Sequence, residues 1–295
     1  MSIFFGLAQA VCWAVTTILL RSLSNRLDAF LVNGLRAALG LLIIIPLVFL
    51  TGGVYDYPLL SWANLVFLAS SVVIGGVVGD AFYVNSLKLI GVSRAFPITN
   101  SYPLFTVLLS AALLGTPLHL SILLGAVLVI AGVYLIARPR PGHHVGSVEY
   151  IERGRFLRGT LYACATALSW SLATVILARG LEGINGVVAT SVRVPVVSLL
   201  CFVIAARRGA ISQLKALPMS VWGQLVLTGI LGWGLGGSLY ALSIQYAGPG
   251  RTAILSATAP LFGVLLGALF LQERPTLYTF MGTLLTISGI ALVVI

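Results

Sequence analysis

Charged residues are scarce in this chain. Only 8% of its 295 residues are charged, whereas 59% are hydrophobic and the mean hydropathy is +1.08. A soluble domain of this length could not bury so much apolar surface, because globular proteins carry about a quarter charged residues. At about 20 residues per crossing, ten helices use roughly 200 residues and leave short connections. The composition therefore predicts an all-α membrane protein with ten transmembrane helices, and it excludes a large soluble domain or a single-span anchor.

Acidic residues and cysteines are also few. There are 7 aspartates and glutamates, and the three cysteines, Cys12, Cys164 and Cys201, lie in apolar stretches without a C-x-x-C pair. Neither a metal site nor a disulfide framework is predicted, and no cofactor is expected. The net charge of +10 has no soluble surface on which to form a basic groove, so no nucleic-acid partner is expected. In a membrane protein, such an excess sets orientation instead.

Apolar runs bounded by charges, proline or glycine predict the helices. They lie near 3–20, 29–50, 62–87, 94–114, 118–137, 158–178, 186–206, 222–246, 251–271 and 276–295. The longest connection is rich in Arg, Pro, His and Glu, which is typical of a polar linker. The chain therefore divides into a first five-helix repeat at 1–137, a linker at 138–157 and a second five-helix repeat at 158–295.

The two halves match each other without a gap at one constant offset, the distance in sequence from Trp13 to Trp170. The matches fall on Trp, Arg, Gly, Tyr and Pro, which coincide by chance far less often than Leu or Val. They include Trp13/Trp170, Arg36/Arg193, Gly75/Gly232, Gly79/Gly236, Tyr83/Tyr240 and Pro103/Pro260. Because five is odd, the second half must begin on the opposite side of the membrane. This predicts an inverted-topology repeat, which typically places a binding site near the midplane between halves that alternate in access.

The distribution of lysine and arginine predicts the orientation in the cell membrane. Most of the 17 lysines and arginines lie in or near connections 1–2, 3–4, 5–6, 7–8 and 9–10, which share one side of the membrane. Only Arg179 and Arg251 lie on the other side. The basic side is formed by Arg21, Arg26, Lys88, Arg94, Arg138, Arg140, Arg153, Arg155, Arg158, Arg207, Arg208, Lys215 and Arg274. The positive-inside rule then puts the linker in the cytoplasm and both termini outside.

Several motifs resemble the EamA-type branch of the drug/metabolite transporter superfamily over nearly the whole chain. Each half has an arginine early in its second helix and a proline in its fourth. The second half adds Ala259-Pro260-Leu261, Leu271-Gln272-Glu273-Arg274, Gly282 and Gly289. The resemblance implies export or exchange of small metabolites, amino acids among them, and a cavity lined mainly by helices 1, 3, 4, 6, 8 and 9.

The chain departs from this family pattern in two places. Gly115-Thr116-Pro117 stands in the first half where the family usually carries Gly-Glu, so any role of that acid is lost there. Many members are also drawn with cytoplasmic termini, whereas the charge distribution predicts the reverse here.

Helix 4 and the paired aromatics supply the cavity candidates. Asn100, Ser101 and Tyr102 lie between two prolines that free backbone carbonyls and favour a bend. The alternative for these polar side chains is hydrogen bonding between helices. The aromatic candidates are Trp13, Tyr83, Trp170 and Tyr240, although aromatic residues also anchor membrane interfaces.

Three charged side chains lie inside predicted helices. Asp80 is a candidate for proton coupling, since intramembrane carboxylates are costly and often functional. Arg36 and Asp80 both lie about 10 Å from the same side at 1.5 Å per residue, so we expect an ion pair between them. In the second repeat, Arg193 is equivalent to Arg36, but the position equivalent to Asp80 is a glycine, Gly237. Arg193 could bind a carboxylate or phosphate through its bidentate fork, or extend toward the interface.

Small residues four apart in helices 3 and 8 predict close helix contacts. Gly75 and Gly79 are equivalent to Gly232 and Gly236, and such spacing lets backbones approach in lipid. The contacts could serve simple packing or a rocking motion between the halves.

Together these features predict a secondary transporter of small metabolites, working as a monomer or homodimer in the bilayer. The coupling partner is a proton or an exchanged substrate. A channel or a membrane scaffold is the alternative. An intramembrane enzyme is least favoured, because only one acid lies inside a helix and a two-carboxylate mechanism needs a second.

Overall fold

The structure is a computed structural model that describes residues 2–24, 27–90, 95, 98–136, 153–270 and 277–294. These ranges consist of helices and their connections, without a strand. Residues 138–152 of the predicted linker lie outside them, as do Arg94 and the stretch from Leu271 to Arg274.

Ten helical segments follow one another along the chain, which confirms the predicted ten-helix membrane fold. They are α1 (Ser2–Ser24), α2 (Ala29–Leu50), α3 (Trp62–Ile90), α4 (Tyr102–Leu114), α5 (Leu120–Ile136), α6 (Arg153–Gly180), α7 (Gly186–Arg207), α8 (Met219–Ala247), α9 (Pro249–Ser256 and Ala259–Phe270) and α10 (Leu277–Val294). Five of them, α2, α3, α6, α7 and α8, are individually long and apolar enough to cross a membrane.

Helix α6 begins earlier than predicted. It starts at Arg153, so the last residues assigned to the linker are helical. The charges at Arg153, Arg155 and Arg158 favour a connection in the sequence. Arginine is nevertheless a good helix former, and a helix can continue beyond the membrane where its side chains face water.

The starts of α2 and α7 follow from equivalent capping residues. Asp28 accepts hydrogen bonds from the backbone N–H groups of Phe30 and Leu31. Asn185, its equivalent in the second repeat, accepts one from Val187 N–H. Short polar side chains at this position satisfy N–H groups that have no partner within the helix.

Both repeats also interrupt their third helix at the same place. Val73–Gly79 of α3 and Gly229–Gly236 of α8 are π-helical. Short π-helical segments are uncommon and often lie at functional sites. The sequence analysis did not predict them.

A second paired interruption lies in the fourth helix of each repeat. α9 breaks at Ala257 and Thr258, and a turn at the equivalent residues Asn100 and Ser101 precedes α4. Each break comes immediately before a helix with proline at its second position, Pro103 or Pro260. This agrees with the bend expected in helix 4, because proline is tolerated in the first turn of a helix.

The connections alternate between two faces of the helix bundle. On one face, Arg208 lies 3.7 Å from Asp28, which joins connection 1–2 to connection 7–8. On the other face, Asn185 N–H donates to the Asp56 carboxylate at 2.9 Å, which joins connection 2–3 to connection 6–7. This is the sidedness that ten crossings and an inverted repeat require.

Helices α5 and α10 approach closely through glycines. A Cβ on Gly125 would lie 2.8 Å from the Gly289 carbonyl oxygen, and one on Gly132 would lie 2.5 Å from that of Gly282. These contacts are related by the repeat, since Gly125 is equivalent to Gly282 and Gly132 to Gly289. The absence of side chains lets the two backbones touch.

Candidate functional site

Two aromatic pairs form across the boundary between the repeats. Trp13 of α1 packs on Tyr240 of α8 with ring centroids 5.4 Å apart. Tyr83 of α3 packs on Trp170 of α6 at 5.3 Å. Each pair consists of one ring from each repeat. Since Trp13 is equivalent to Trp170 and Tyr83 to Tyr240, the two pairs are related by the repeat. The structure therefore brings together the four aromatic residues singled out from the sequence, in two symmetric contacts.

Each tryptophan rests on a glycine of the predicted G-x-x-x-G pairs. A Cβ on Gly79 would lie 3.0 Å from the Trp170 ring, and a Cβ on Gly236 would lie 3.1 Å from the Trp13 ring. Both glycines are the last residues of the π-helical segments. A larger side chain at either position would push an indole out of its place.

The other two glycines of these motifs lie one turn away and also face the opposite repeat. A Cβ on Gly75 would lie 2.8 Å from that of Ala173, and one on Gly232 would lie 2.7 Å from a guanidinium nitrogen of Arg36. The Gly-rich stretches are therefore the surfaces on which α3 meets α6 and α8 meets α1 and α2.

Of the helix 4 candidates, Tyr102 joins the aromatic group. Its ring contacts Trp170 edge-on at 6.0 Å, and its hydroxyl donates to the Ala253 carbonyl of α9 at 3.0 Å. The Ser101 hydroxyl donates to the Ile98 carbonyl at 2.6 Å, within its own turn. Asn100 is half-buried at the same turn.

Asp80 has a different partner from the one expected. The Trp170 indole N–H donates to its carboxylate at 3.0 Å. No ion pair joins Asp80 to Arg36, although the two charges attract each other at longer range. The sequence predicts the two residues at one depth, but Asp80 binds Trp170 of α6, whereas Arg36 binds the Thr228 carbonyl of α8. The expected direct pair is therefore not formed in this structure.

Arg36 and Arg193 occupy equivalent places in the two repeats. The Arg36 guanidinium donates to the Thr228 carbonyl of α8 at 3.5 Å, and Arg193 Nε donates to the Ser71 hydroxyl of α3 at 3.1 Å. Ser71 and Thr228 are themselves equivalent positions of the repeats. Each arginine thus points from the second helix of its repeat toward the third helix of the other.

Asn33 bridges the two π-helical segments and was missed by the sequence analysis. Its amide N–H donates to the Gly76 carbonyl at 3.1 Å, and its amide oxygen accepts from the Trp233 indole at 3.0 Å. Gly76 and Trp233 are equivalent positions of α3 and α8. An asparagine among apolar residues near the start of α2 was the available signal.

Further polar groups line the contact between α1, α6, α8 and α9. The Thr174 and Tyr240 hydroxyl groups are 2.7 Å apart, and the Ser256 hydroxyl donates to the Gln9 amide oxygen at 2.7 Å. All four residues are buried. Within the described part of the chain, no group of His, Cys, Asp and Glu could hold a metal ion.

Comparison with known proteins places this architecture in a family. The model of the EamA-like transporter family matches residues 1–138 and 157–295. A protein of Archaeoglobus fulgidus described as an uncharacterized transporter is 29% identical over 301 residues, which span all of this chain and 98% of the relative. One solved crystal structure superposes with a TM-score of 0.78 over 99% of this chain and 95% of its own length. Its sequence identity is 21%, so it supports the fold alone. The chain therefore belongs to the EamA-like transporter family.

Proposed function

We propose that this membrane transporter is a secondary carrier that moves small metabolites by alternating access around a site between its two repeats. The observation that carries this proposal is the pair of Trp–Tyr contacts, because each repeat supplies half of every contact. A site built in this way changes whenever one repeat moves relative to the other. Inverted repeats in transporters use such a midplane site for access from either side.

The substrates proposed are amino acids or related small compounds, moved by efflux or exchange. The aromatic rings offer apolar faces, and Tyr102, Asn100, Ser101 and Arg193 are the polar candidates. Such a mixture suits a compound with both polar and apolar parts. Asp80 is the candidate for coupling to protons, since its carboxylate accepts a hydrogen bond from Trp170 of the aromatic group.

The proposed orientation puts the face that carries Asp28 and Arg208 in the cytoplasm and both termini outside. Arg155, Arg207 and Lys88 belong to this face, whereas Arg179 lies on the other. The argument is the positive-inside rule. We propose a monomer or homodimer as the functional unit.

The experiment is uptake into proteoliposomes that contain the purified protein. A panel of labelled amino acids is offered first, then sugars, phosphorylated metabolites and cationic drugs. We expect saturable uptake of at least one compound, and a loss of about tenfold or more in Trp13→Ala and in Trp170→Ala, since each removes one half of the paired site.

Trp62→Ala is the matched control, because Trp62 is 79% exposed at the start of α3 and lies outside the site. It should transport like the wild type. Wild-type uptake by both Trp13→Ala and Trp170→Ala would show that the site lies elsewhere.

A further inference from the structure

Arg36 is a buried cation that forms no direct ion pair with an acid among the described residues, although Asp80 attracts it at longer range. Its side chain is only 9% exposed, its Nε has no hydrogen-bond partner, and its one described bond is the 3.5 Å contact to the Thr228 carbonyl. A guanidinium has five N–H donors. By contrast, the exposed Arg179 forms a 2.9 Å ion pair with Glu182. The more deeply buried arginine therefore has the weaker partner.

The Arg36 guanidinium lies against α8. The side chain extends from α2 toward that helix, where a Cβ on Gly232 would lie 2.7 Å from Nη2. Glycine at this position therefore leaves room that the guanidinium occupies. A buried guanidinium whose Nε has no partner is suited to bind an oxyanion, because a planar guanidinium binds carboxylate and phosphate through two parallel hydrogen bonds.

The balance of charge inside the membrane supports the same conclusion. Away from the helix ends, the described membrane segments carry Arg36, Arg193 and Asp80. Two positive charges therefore face one negative charge, and that carboxylate is already bound to the Trp170 indole. Buried charge is strongly disfavoured unless it is compensated. One monovalent anion would balance this interior.

Arg193 repeats the arrangement in the other half of the membrane. It is partly buried and donates through Nε to the Ser71 hydroxyl, and within the described residues it has no acidic partner. α2 and α7 enter the membrane from opposite faces. The two arginines therefore lie at similar depths from opposite sides, where each could meet the same anion in turn.

We propose that Arg36, with Arg193 as its counterpart, binds the anionic group of the transported compound, a carboxylate or a phosphate. This inference rests on the proposed function and defines the class of compound that the site takes. The anion thereby supplies an acceptor for Arg36 Nε, which has no partner among the described residues.

The test is thermal unfolding of the purified full-length protein at constant ionic strength. The probes are acetate, succinate and inorganic phosphate, and the neutral comparisons are acetamide and succinamide. We expect at least one oxyanion to raise the melting temperature of the wild type in a saturable manner, whereas its amide does not. Separate titrations with the carboxylates and with phosphate identify which oxyanion is preferred.

The variants then assign the binding to the arginine. Arg36→Gln should weaken the apparent affinity about tenfold or more, and Arg36→Lys should weaken it less, since lysine keeps the charge but loses the fork. Arg193→Gln should act in the same direction. The exposed Arg179→Gln is the control and should bind like the wild type. If Arg36→Gln does not fold, Arg36→Lys and Gly232→Ala, which displaces the guanidinium, provide the comparison.

Two results would overturn the inference. One is that no oxyanion stabilises the wild type. The other is that Arg36→Gln lowers the melting temperature but keeps the same oxyanion-induced shift, which would assign Arg36 a structural role. Uptake in proteoliposomes separates this failure from failure of the proposed function: saturable uptake of neutral or cationic compounds alone would leave the carrier standing and remove the anion site.

Discussion

Trp170 and Asp80 lie in different repeats and are joined by a 3.0 Å hydrogen bond from the indole N–H to the carboxylate. Trp170 also contacts the rings of Tyr83 and Tyr102. One side chain of α6 therefore touches α3 and α4, and it supplies the partner of the acid nearest the proposed site. Gly237 replaces the acid in the second repeat, so this bond has no symmetric copy. The Tyr83–Trp170 contact therefore has a carboxylate beside it that the equivalent Trp13–Tyr240 contact lacks.

Removing this bond should destabilise the protein. Trp170→Phe leaves the Asp80 carboxylate without its donor, which should lower the free energy of unfolding by about 1–3 kcal/mol. In an Asp80→Asn background the same change should cost less, because a neutral amide is easier to leave without a donor. The measurement is a double-mutant cycle by chemical unfolding in detergent micelles, and strictly additive effects would show that the two side chains do not interact.

Gly79 and Gly236, which contact the tryptophans, should not tolerate a larger side chain without a loss of stability. A Cβ at Gly236 would lie 2.6 Å from the Leu231 carbonyl oxygen, whereas one at Gly79 would first meet side chains, at 3.0 Å and 3.1 Å. Backbone moves less easily than a side chain, so Gly236→Ala should be the more damaging change, at about 1–3 kcal/mol. Uptake and melting temperature measured together check this order.

Gly223→Ala is the control for that pair. It lies in the same helix as Gly236, and a Cβ there has no neighbour within 4 Å. Alanine should be neutral or slightly stabilising at this position, by up to about 1 kcal/mol. A loss in Gly223→Ala equal to that in Gly236→Ala would show that the contact with Trp13 does not explain the effect.

The two substitutions that remove the hydrogen bond between Thr174 and Tyr240 should lower the free energy of unfolding by different amounts. The Thr174 hydroxyl already donates to the Trp170 carbonyl at 2.7 Å, so it keeps a partner in Tyr240→Phe. Thr174→Val instead leaves the buried Tyr240 hydroxyl without an acceptor. Thr174→Val should therefore lower the free energy of unfolding by about 1–3 kcal/mol, and Tyr240→Phe by about 1 kcal/mol. Chemical unfolding decides between this order and its reverse.

The orientation can be checked with fluorescent fusions. A reporter that fluoresces only in the cytoplasm should be dark after Ile295 and bright when inserted within 138–152. The physical reason is the excess of lysine and arginine on the face of connections 1–2 and 7–8. A bright C-terminal fusion would reverse the proposed orientation while leaving the ten-helix fold intact.

Most of the fold could be predicted from the sequence because a helix that crosses a bilayer must be apolar and of a minimum length. Apolar runs of sufficient length marked the helices, and the constant offset between matching residues marked the repeat. The π-helical segments could not be predicted, since Val73–Gly79 has the same apolar pattern that an α-helix would have. The sequence predicts the start of α6 too late, because charged residues can continue a helix beyond the membrane.

The site was predicted in part for a related reason. Identity between the repeats identified Trp13, Trp170, Tyr83 and Tyr240, which do meet in pairs. Depth along a helix, however, does not tell which way a side chain faces. Asp80 therefore binds an indole rather than Arg36.

Counterflow tests the central claim of alternating access most directly. Proteoliposomes are loaded with an unlabelled substrate identified by the uptake panel, diluted, and given a trace of the labelled compound outside. A carrier with a site that opens to one side at a time should accumulate label transiently above its equilibrium level, and Trp13→Ala and Trp170→Ala should suppress that overshoot. Entry of label that only approaches equilibrium, without an overshoot, would contradict alternating access and favour a channel.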